Sequence, residues 1–399
     1  MAQFSYMGTK RQLASVIEQQ TRQLQPGPFM DLFSGISAAG MAVGKNRNIW
    51  CNDVQNFSCT LTRAVYTSTS AYRPKRNTTN YITDKFYSHR KKLLTSFGNL
   101  HAYEEKSLAS TIERKIEIQS EIVLSTRGHQ DALRSQGFNC LFTTTHAGTY
   151  FGFLQSVEID SIRYAIDLAL NEQEIDKESH RWMVLALCQA VASVSNSTGH
   201  FAQYLTAKPS NVSRVVSKRR RSVWNEWLLY LKELKPFGQP SWRSKNKIFQ
   251  SEANTLLSAL AAGIERPGII YADPPYTEDQ YSRFYHVLEN VVLYDYPTVT
   301  GKGEYRQDRF SSDFSLAGNV VGAFERMIKN ASKLGSALMI SYPNNGLMKN
   351  STETILSLLR QSFPIVNDPI VIPHTHSTMG ASKGLQKHSV NELIFLAKH

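Results

Sequence analysis

Cysteine is scarce in this chain of 399 residues: Cys51, Cys59, Cys140 and Cys188 are the only four, and no two are spaced as C-x-x-C. That argues against a disulfide framework and against a paired-cysteine zinc or redox motif, and leaves small buried thiols in a reducing, cytosolic setting. No apolar run reaches the ~20 residues of a membrane span. The longest, WMVLALCQAVASV from Trp182, is interrupted by Gln189 and reads as a buried helix. The opening residues, MAQFSYMGTKRQL, lack the apolar stretch of a secretory signal. There is no internal repeat and no low-complexity tract. His374 and His376 have no third ligand at a matching position, so they read as loop residues and no metal site is expected.

Acidic residues are the scarcer charge, 33 against 45 Lys and Arg, for a net charge of +12. The excess is localised. Residues 57–246 carry 26 basic and 16 acidic residues, a net of +10, while the remainder carries 19 and 17, a net of +2. A basic middle segment suits a polyanionic partner, although a solvated helical surface has the same composition.

The order of elements divides the chain in the same place. Leu13, Ile17 and Leu24 recur at helical spacing before the QPGP turn at Gln25–Pro28. FMDLFSGISAAGMAVG then reads as a short strand, a Ser-Gly turn and a helix. NIWCND reads as a second strand ending at Asp53, 22 residues after Asp31. Strand, glycine turn, helix, strand, acid is the pattern of a nucleotide-binding βαβ unit. From Phe57 to Asn246 the alternation gives way to helical periodicities. It returns with a strand at KIFQSE, a helix over Ala253–Ala262 and a strand at GIIYAD. A helix over Val320–Leu334, a strand at SALMISYPNN, a helix at ETILSLLRQSF and a strand pair at PIVIP and NELIFLAK complete it. The expected fold is α/β, a Rossmann-like doubly wound sheet formed by residues 1–56 and 247–399 and split by a mostly helical insertion over 57–246.

The most informative stretch is IIYADPPYTEDQYSRFYH, Ile269–His286. Two prolines stop a strand directly behind an aspartate and ahead of an aromatic ring. The second also restricts the residue before it to an extended conformation. Such a segment holds an acid, a carbonyl and a flat ring rigidly beside one another where the strand ends.

Asp273-Pro274-Pro275-Tyr276 resembles the DPPY motif of S-adenosylmethionine-dependent amino-methyltransferases. The order of the remaining pieces resembles the Dam-like (D12, alpha-class) DNA adenine methyltransferases: YMGTK at Tyr6–Lys10, DLFSG at Asp31–Gly35, the long insertion, FQSEANTLL before DPPY and YSRFYHVLE after it. MISYPNN and NELIFL are similar to the late strands of that class. The resemblance implies methyl transfer from S-adenosylmethionine to the N6 amine of a flipped-out adenine in double-stranded DNA. It assigns catalysis to Asp273, Pro274, Pro275 and Tyr276. It assigns cofactor binding to Tyr6, Lys10, Asp31, Phe33, Ser34, Gly35, Asp53, Glu252 and Asp273. Relatives commonly have aspartate where this chain has Glu252. The inserted region becomes a target-recognition domain, with Lys218, Arg219, Arg220 and Arg221 as candidate phosphate contacts. Tyr150, Phe151, His200 and Phe201 are aromatic candidates for DNA contact or for core packing. The setting implied is the cytoplasm of a bacterial or phage-infected cell, with a cognate restriction endonuclease as a partner. Methylation of a cytosine amine or of RNA, and a non-catalytic DNA-binding protein on a methyltransferase scaffold, are the alternatives. A nucleotide-dependent dehydrogenase fits less well, because the glycine turn lacks a full G-x-G-x-x-G and DPPY has no role there.

Overall fold

The computed structural model describes residues 13–44, 46–73, 75–377 and 387–399. Its strands are β1 (Phe29–Asp31), β2 (Ile49–Asp53), β3 (Lys247–Gln250), β4 (Ile269–Ala272), β5 (Val299–Thr300), β6 (Tyr305–Arg306), β7 (Ala337–Pro343), β8 (Ile365–Val366), β9 (Ile370–Ser377) and β10 (Lys387–Lys398). The chain divides into two compact units. One comprises the described part of Tyr6–Thr69 together with Pro236–Arg283 and Phe310–His399; the other contains Ser70–Lys235 and Phe284–Arg309.

The first unit is built on a sheet of order β3-β2-β1-β4-β7-β10-β8, with β9 paired to β10. β3, β2, β1, β4 and β7 run parallel, and β10 is antiparallel to β7, β8 and β9. Strand side chains alternate between two apolar layers, as the pleat requires. Met30, Ile270, Leu338 and Ile340 enter one layer, and Phe29, Ile269, Tyr271 and Met339 the other. Helices Ala253–Ala261, Val320–Lys333 and Ser351–Ser362 cover the first face. In Val320–Lys333, residues Val320, Ala323, Phe324, Met327, Ile328 and Ala331 repeat at helical spacing and are all buried. Ala14–Arg22, Ala38–Val43 and Asn56–Thr67 supply the second face. The strand order reverses between β1 and β4, and ligands of open α/β sheets bind beyond the carboxyl ends of such a pair.

The second unit is helical. Its core joins Leu93, Ile118, Ile122, Phe153, Val157 and Val216. Three buried carboxylates hold helix N-termini in it, each satisfying amides that a helix leaves without an internal acceptor. Glu104 accepts from the amides of Phe153 and Leu154, at the start of Phe153–Asn171. Asp160 accepts from those of Phe142 and Thr143, in Leu141–Thr145. Glu158 accepts from those of Val223 and Trp224, opening Val223–Glu233.

The unit boundaries differ from the sequence divisions at 57 and 247. Helix Asn56–Thr67 belongs with the sheet, where the Tyr66 hydroxyl donates to the Ser37 carbonyl and the Phe237 amide to the Val65 carbonyl. Phe284–Arg309 belongs with the helices, through a buried polar network. His146 Nδ1 and the Thr149 hydroxyl meet Glu304 at 2.8 and 2.9 Å. Arg127 pairs with the other Glu304 oxygen at 2.6 Å. His286 Nε2 lies 3.0 Å from the Phe201 carbonyl, and burial pushes its pKa down to about 3. Among the described residues no helix is long and apolar enough to cross a membrane.

Candidate active site

The carboxyl ends of β1, β2 and β4 open on one cleft of about 990 Å3, open to solvent and contained within the sheet unit. Its walls include Asp31, Phe33, Ser34, Gly35, Asp53, Glu252, Asp273 and Pro275. Eight of the residues proposed from sequence therefore converge on it.

The turn after β1 follows from local chemistry. Gly35 has φ +48° and Ser37 φ +52°, a region open to glycine and costly for other residues. Ser37 is held there by its own hydrogen bonds: its hydroxyl donates to Asp31 Oδ2 at 3.0 Å and its amide to the Ser34 carbonyl. A side chain on Gly40 would fall 2.3 Å from that hydroxyl, so glycine leaves room for it. The Gly35 amide donates to Asp53 Oδ2 at 2.8 Å, and the Gln55 amide to Oδ1 at 2.9 Å. Asp53 thus fixes the glycine turn while lining the cleft.

The electrostatics are unusual for so small a volume. Burial, reinforced by Asp273 and Asp53 and opposed by the Ser37 hydroxyl, pushes the Asp31 carboxyl up from about 3.8 to about 7. Burial also raises Asp53, against the lowering effect of the Gln55 and Gly35 amides. Four carboxyl groups in one cleft favour a ligand that brings positive charge.

Glu252 is the N-cap of Ala253–Ala261, its Oε2 accepting from the Thr255 amide at 2.8 Å. The longer side chain reaches back to its own helix while its residue still lines the cleft. Phe33 meets Phe314 edge to face, centroids 5.1 Å apart. Pro274 is buried. Tyr276 packs against the apolar layer, and its carbonyl accepts from the Leu347 amide at 2.9 Å. Tyr6 and Lys10 lie outside the described residues.

Several cleft residues carry no isolated sequence signal. Asn52 donates from Nδ2 to the Leu32 and Ser251 carbonyls, tying three strand ends together. Its Oδ1 and the Ser34 hydroxyl are buried with no partner among the described residues. Gln280 clips the segment after DPPY to Ser312, whose amide donates to its Oε1 at 2.8 Å. Tyr281 also lines the wall. It lies five residues past Tyr276, and that position relative to DPPY is the one available clue.

The basic cluster is placed differently from an exposed stripe. The Lys218 ammonium donates to the Ser193 carbonyl, as does Arg221 Nη1, and Arg221 pairs with Glu226 at 2.7 Å. Arg219 is only 6% exposed, and Arg220 alone of the four is exposed. Tyr150, Phe151 and Phe201 are buried in the core of the helical unit.

A doubly wound sheet in this order, with a glycine turn after β1 and an acid-proline-proline-tyrosine segment after β4, is the build of the Rossmann-like methyltransferases. The chain belongs to the D12 class N6 adenine-specific DNA methyltransferase family, whose model matches residues 6–333. It is similar to the modification methylase StsI of Streptococcus sanguinis, 23% identical over 396 residues, 98% of this chain and 51% of that protein. It is also similar to the type II methyltransferase M.FokI of Planomicrobium okeanokoites, 26% identical over 331 residues, 82% of this chain and 42% of that protein. The type II methyltransferase M.NlaIII of Neisseria lactamica is 26% identical over 202 residues, half of either chain. The chain spans about half the length of the curated relatives it matches.

Proposed function

We propose that this chain transfers the methyl group of S-adenosylmethionine to the N6 amine of an adenine in double-stranded DNA, as the modification enzyme of a restriction-modification system. The observation that carries the reading is the convergence of Asp273 and Pro275 with the glycine turn of β1 on one acid-lined cleft. The cleft fits the cofactor in the chemistry of its walls, acidic and aromatic side chains beside a glycine turn. Asp31, Asp53, Glu252 and Asp273 suit its cationic groups and its ribose hydroxyls. Phe33 and Phe314 offer apolar faces, and the Ser34 hydroxyl and Asn52 Oδ1 are free to bond it. When bound it supplies an electrophilic methyl group.

The protein's part is to prepare and aim the nucleophile. An adenine amine is a weak nucleophile because its lone pair is delocalised into the ring. Asp273 accepts one amine hydrogen and the Pro274 carbonyl the other, localising that lone pair on nitrogen. Pro275 holds the carbonyl in position before the base arrives. Tyr276 gives the base a face to stack on. Rigid alignment then replaces the entropy of an encounter. A stacked adenine cannot bring its amine to such a cleft, so the base leaves the duplex. The basic helical unit, with Arg220 on its surface, contributes phosphate binding and target recognition.

This assignment implies a cytoplasmic bacterial or phage setting and a cognate endonuclease. Incubation with labelled S-adenosylmethionine and unmethylated DNA tests it, comparing wild type with Asp273→Ala. Label in DNA that disappears in the variant supports the assignment. Label that persists in the variant removes Asp273 from the mechanism.

A further inference from the structure

A second cleft, of about 750 Å3, lies wholly within the helical unit. Arg219, Arg220, Arg221 and Ser222 line it together with His101, Glu104, Glu105 and Glu158. Arg219 is more than nine-tenths buried. Its Nη2 donates to the Gly148 carbonyl at 3.3 Å, but Nε and Nη1 have no partner among the described residues. Burial lowers its pKa, and nearby Glu104 partly offsets that. His101 Nδ1 is likewise buried without a partner among the described residues.

Among the described residues no acid is hydrogen-bonded to those Arg219 and His101 nitrogens, and Glu105 faces the other imidazole nitrogen, His101 Nε2, at 3.6 Å. Both Glu104 oxygens accept from the amides of Phe153 and Leu154. Glu158 Oε2 accepts from the Val223 and Trp224 amides, and the Ser222 hydroxyl lies within 3.1 Å of it. Their charge is directed at helix N-termini, where it offsets the helix dipoles. Arg221 is paired with Glu226, and Arg220 uses only Nη2, toward the Leu108 carbonyl at 3.2 Å. What remains is a buried guanidinium with two nitrogens, Nε and Nη1, that have no partner among the described residues, an exposed second arginine and an imidazole nitrogen. A buried cation left in that state is costly unless an anion completes it.

We propose that this cleft is a binding site for a phosphate-class oxyanion, with Arg219 as its inner ligand and Arg220 and His101 completing it. A phosphate group offers several acceptor oxygens to donors converging from different directions, and arginine is the side chain best matched to it. The same group is present on a DNA backbone and on free phosphate. The site shares no residue with the acid-lined cleft; binding of free phosphate is independent of the methyl-transfer reading, while a DNA backbone as its source rests on it.

The test is a thermal melt of the full chain in phosphate-free buffer and with increasing inorganic phosphate. A ligand that binds only the folded state raises the melting temperature with its concentration. The expected result is such a rise in wild type. It disappears in Arg219→Met, whose own melting temperature without phosphate is unchanged or higher because the uncompensated cation is gone. Should Arg219→Met fail to fold, Arg220→Ala, at an exposed position, is expected to weaken the apparent phosphate affinity about tenfold, the worth of one charge-assisted hydrogen bond. A duplex that displaces phosphate identifies the backbone as the source; phosphate that binds alongside DNA identifies the free anion. No phosphate response in wild type, or one unchanged in both variants, overturns the proposal.

Discussion

Replacing Asp31 by asparagine probes the buried carboxyl cluster with one atom changed. Its carboxyl is raised from about 3.8 to about 7 by burial first, then by Asp273 and Asp53. Between those two pH values the folded protein holds a proton that the unfolded chain releases. Stability therefore falls as pH rises through the window, and the loss is complete above pH 7. The gap corresponds to about 4 kcal/mol at 1.4 kcal/mol per pH unit, of which about 3 kcal/mol falls between pH 5 and pH 8. Asparagine keeps the shape and cannot ionise. Urea unfolding of the ligand-free protein at pH 5, 6, 7 and 8 measures the difference between the two proteins, cancelling other groups that titrate, such as Asp160, itself raised to about 6. Asp31→Asn is expected to gain on wild type as pH rises, by about 3 kcal/mol over the range. A difference that stays flat, or that moves in favour of wild type, would mean Asp31 is ionised when folded and would refute the argument. Because a cationic ligand favours the ionised carboxyl, S-adenosylmethionine should also bind more tightly at pH 8 than at pH 6.

Gly35→Ala forces a side chain into φ +48°; it should cost about 1–2 kcal/mol in urea unfolding and weaken cofactor affinity measured by calorimetry, by disturbing the bond to Asp53. Glu158→Ala leaves the Val223 and Trp224 amides without their acceptor inside the helical unit. Unfolding by denaturant should show a loss of about 2–3 kcal/mol, with methyl-donor binding to the sheet unit unaffected. Glu252→Ala removes a helix N-cap worth about 1 kcal/mol. Glu252→Gln, whose amide oxygen can still cap, should restore most of that stability, and a cofactor affinity that stays low in Glu252→Gln assigns the charge itself to binding.

The sheet unit was legible because its strands are short apolar runs that end in acids or prolines. Asp31, Asp53 and Asp273 each mark a strand end, and all three line the cleft. Helix Val320–Lys333 was legible for the same reason, a single apolar stripe. What the sequence hid depends on pairings between distant residues. His146 and Glu304 are 158 positions apart, and their bond helps place residues 284–309 with the helices, although they directly follow the DPPY strand. Ser37 reads as an ordinary turn residue, and only the fold reveals its left-handed backbone and its bond to Asp31. The run Lys218–Arg221 has the composition of a phosphate-gripping surface. Three of its members are drawn inward by the Ser193 and Gly148 carbonyls and by Glu226, which no local pattern announces.

The most direct measurement is to digest DNA modified by this protein to nucleosides and identify the methylated one by mass spectrometry. The expected product is N6-methyl-2′-deoxyadenosine, present with wild type and absent with Asp273→Ala. Methyl on the cytosine amine instead, or no methylated nucleoside from a chain that binds S-adenosylmethionine and DNA, would contradict it.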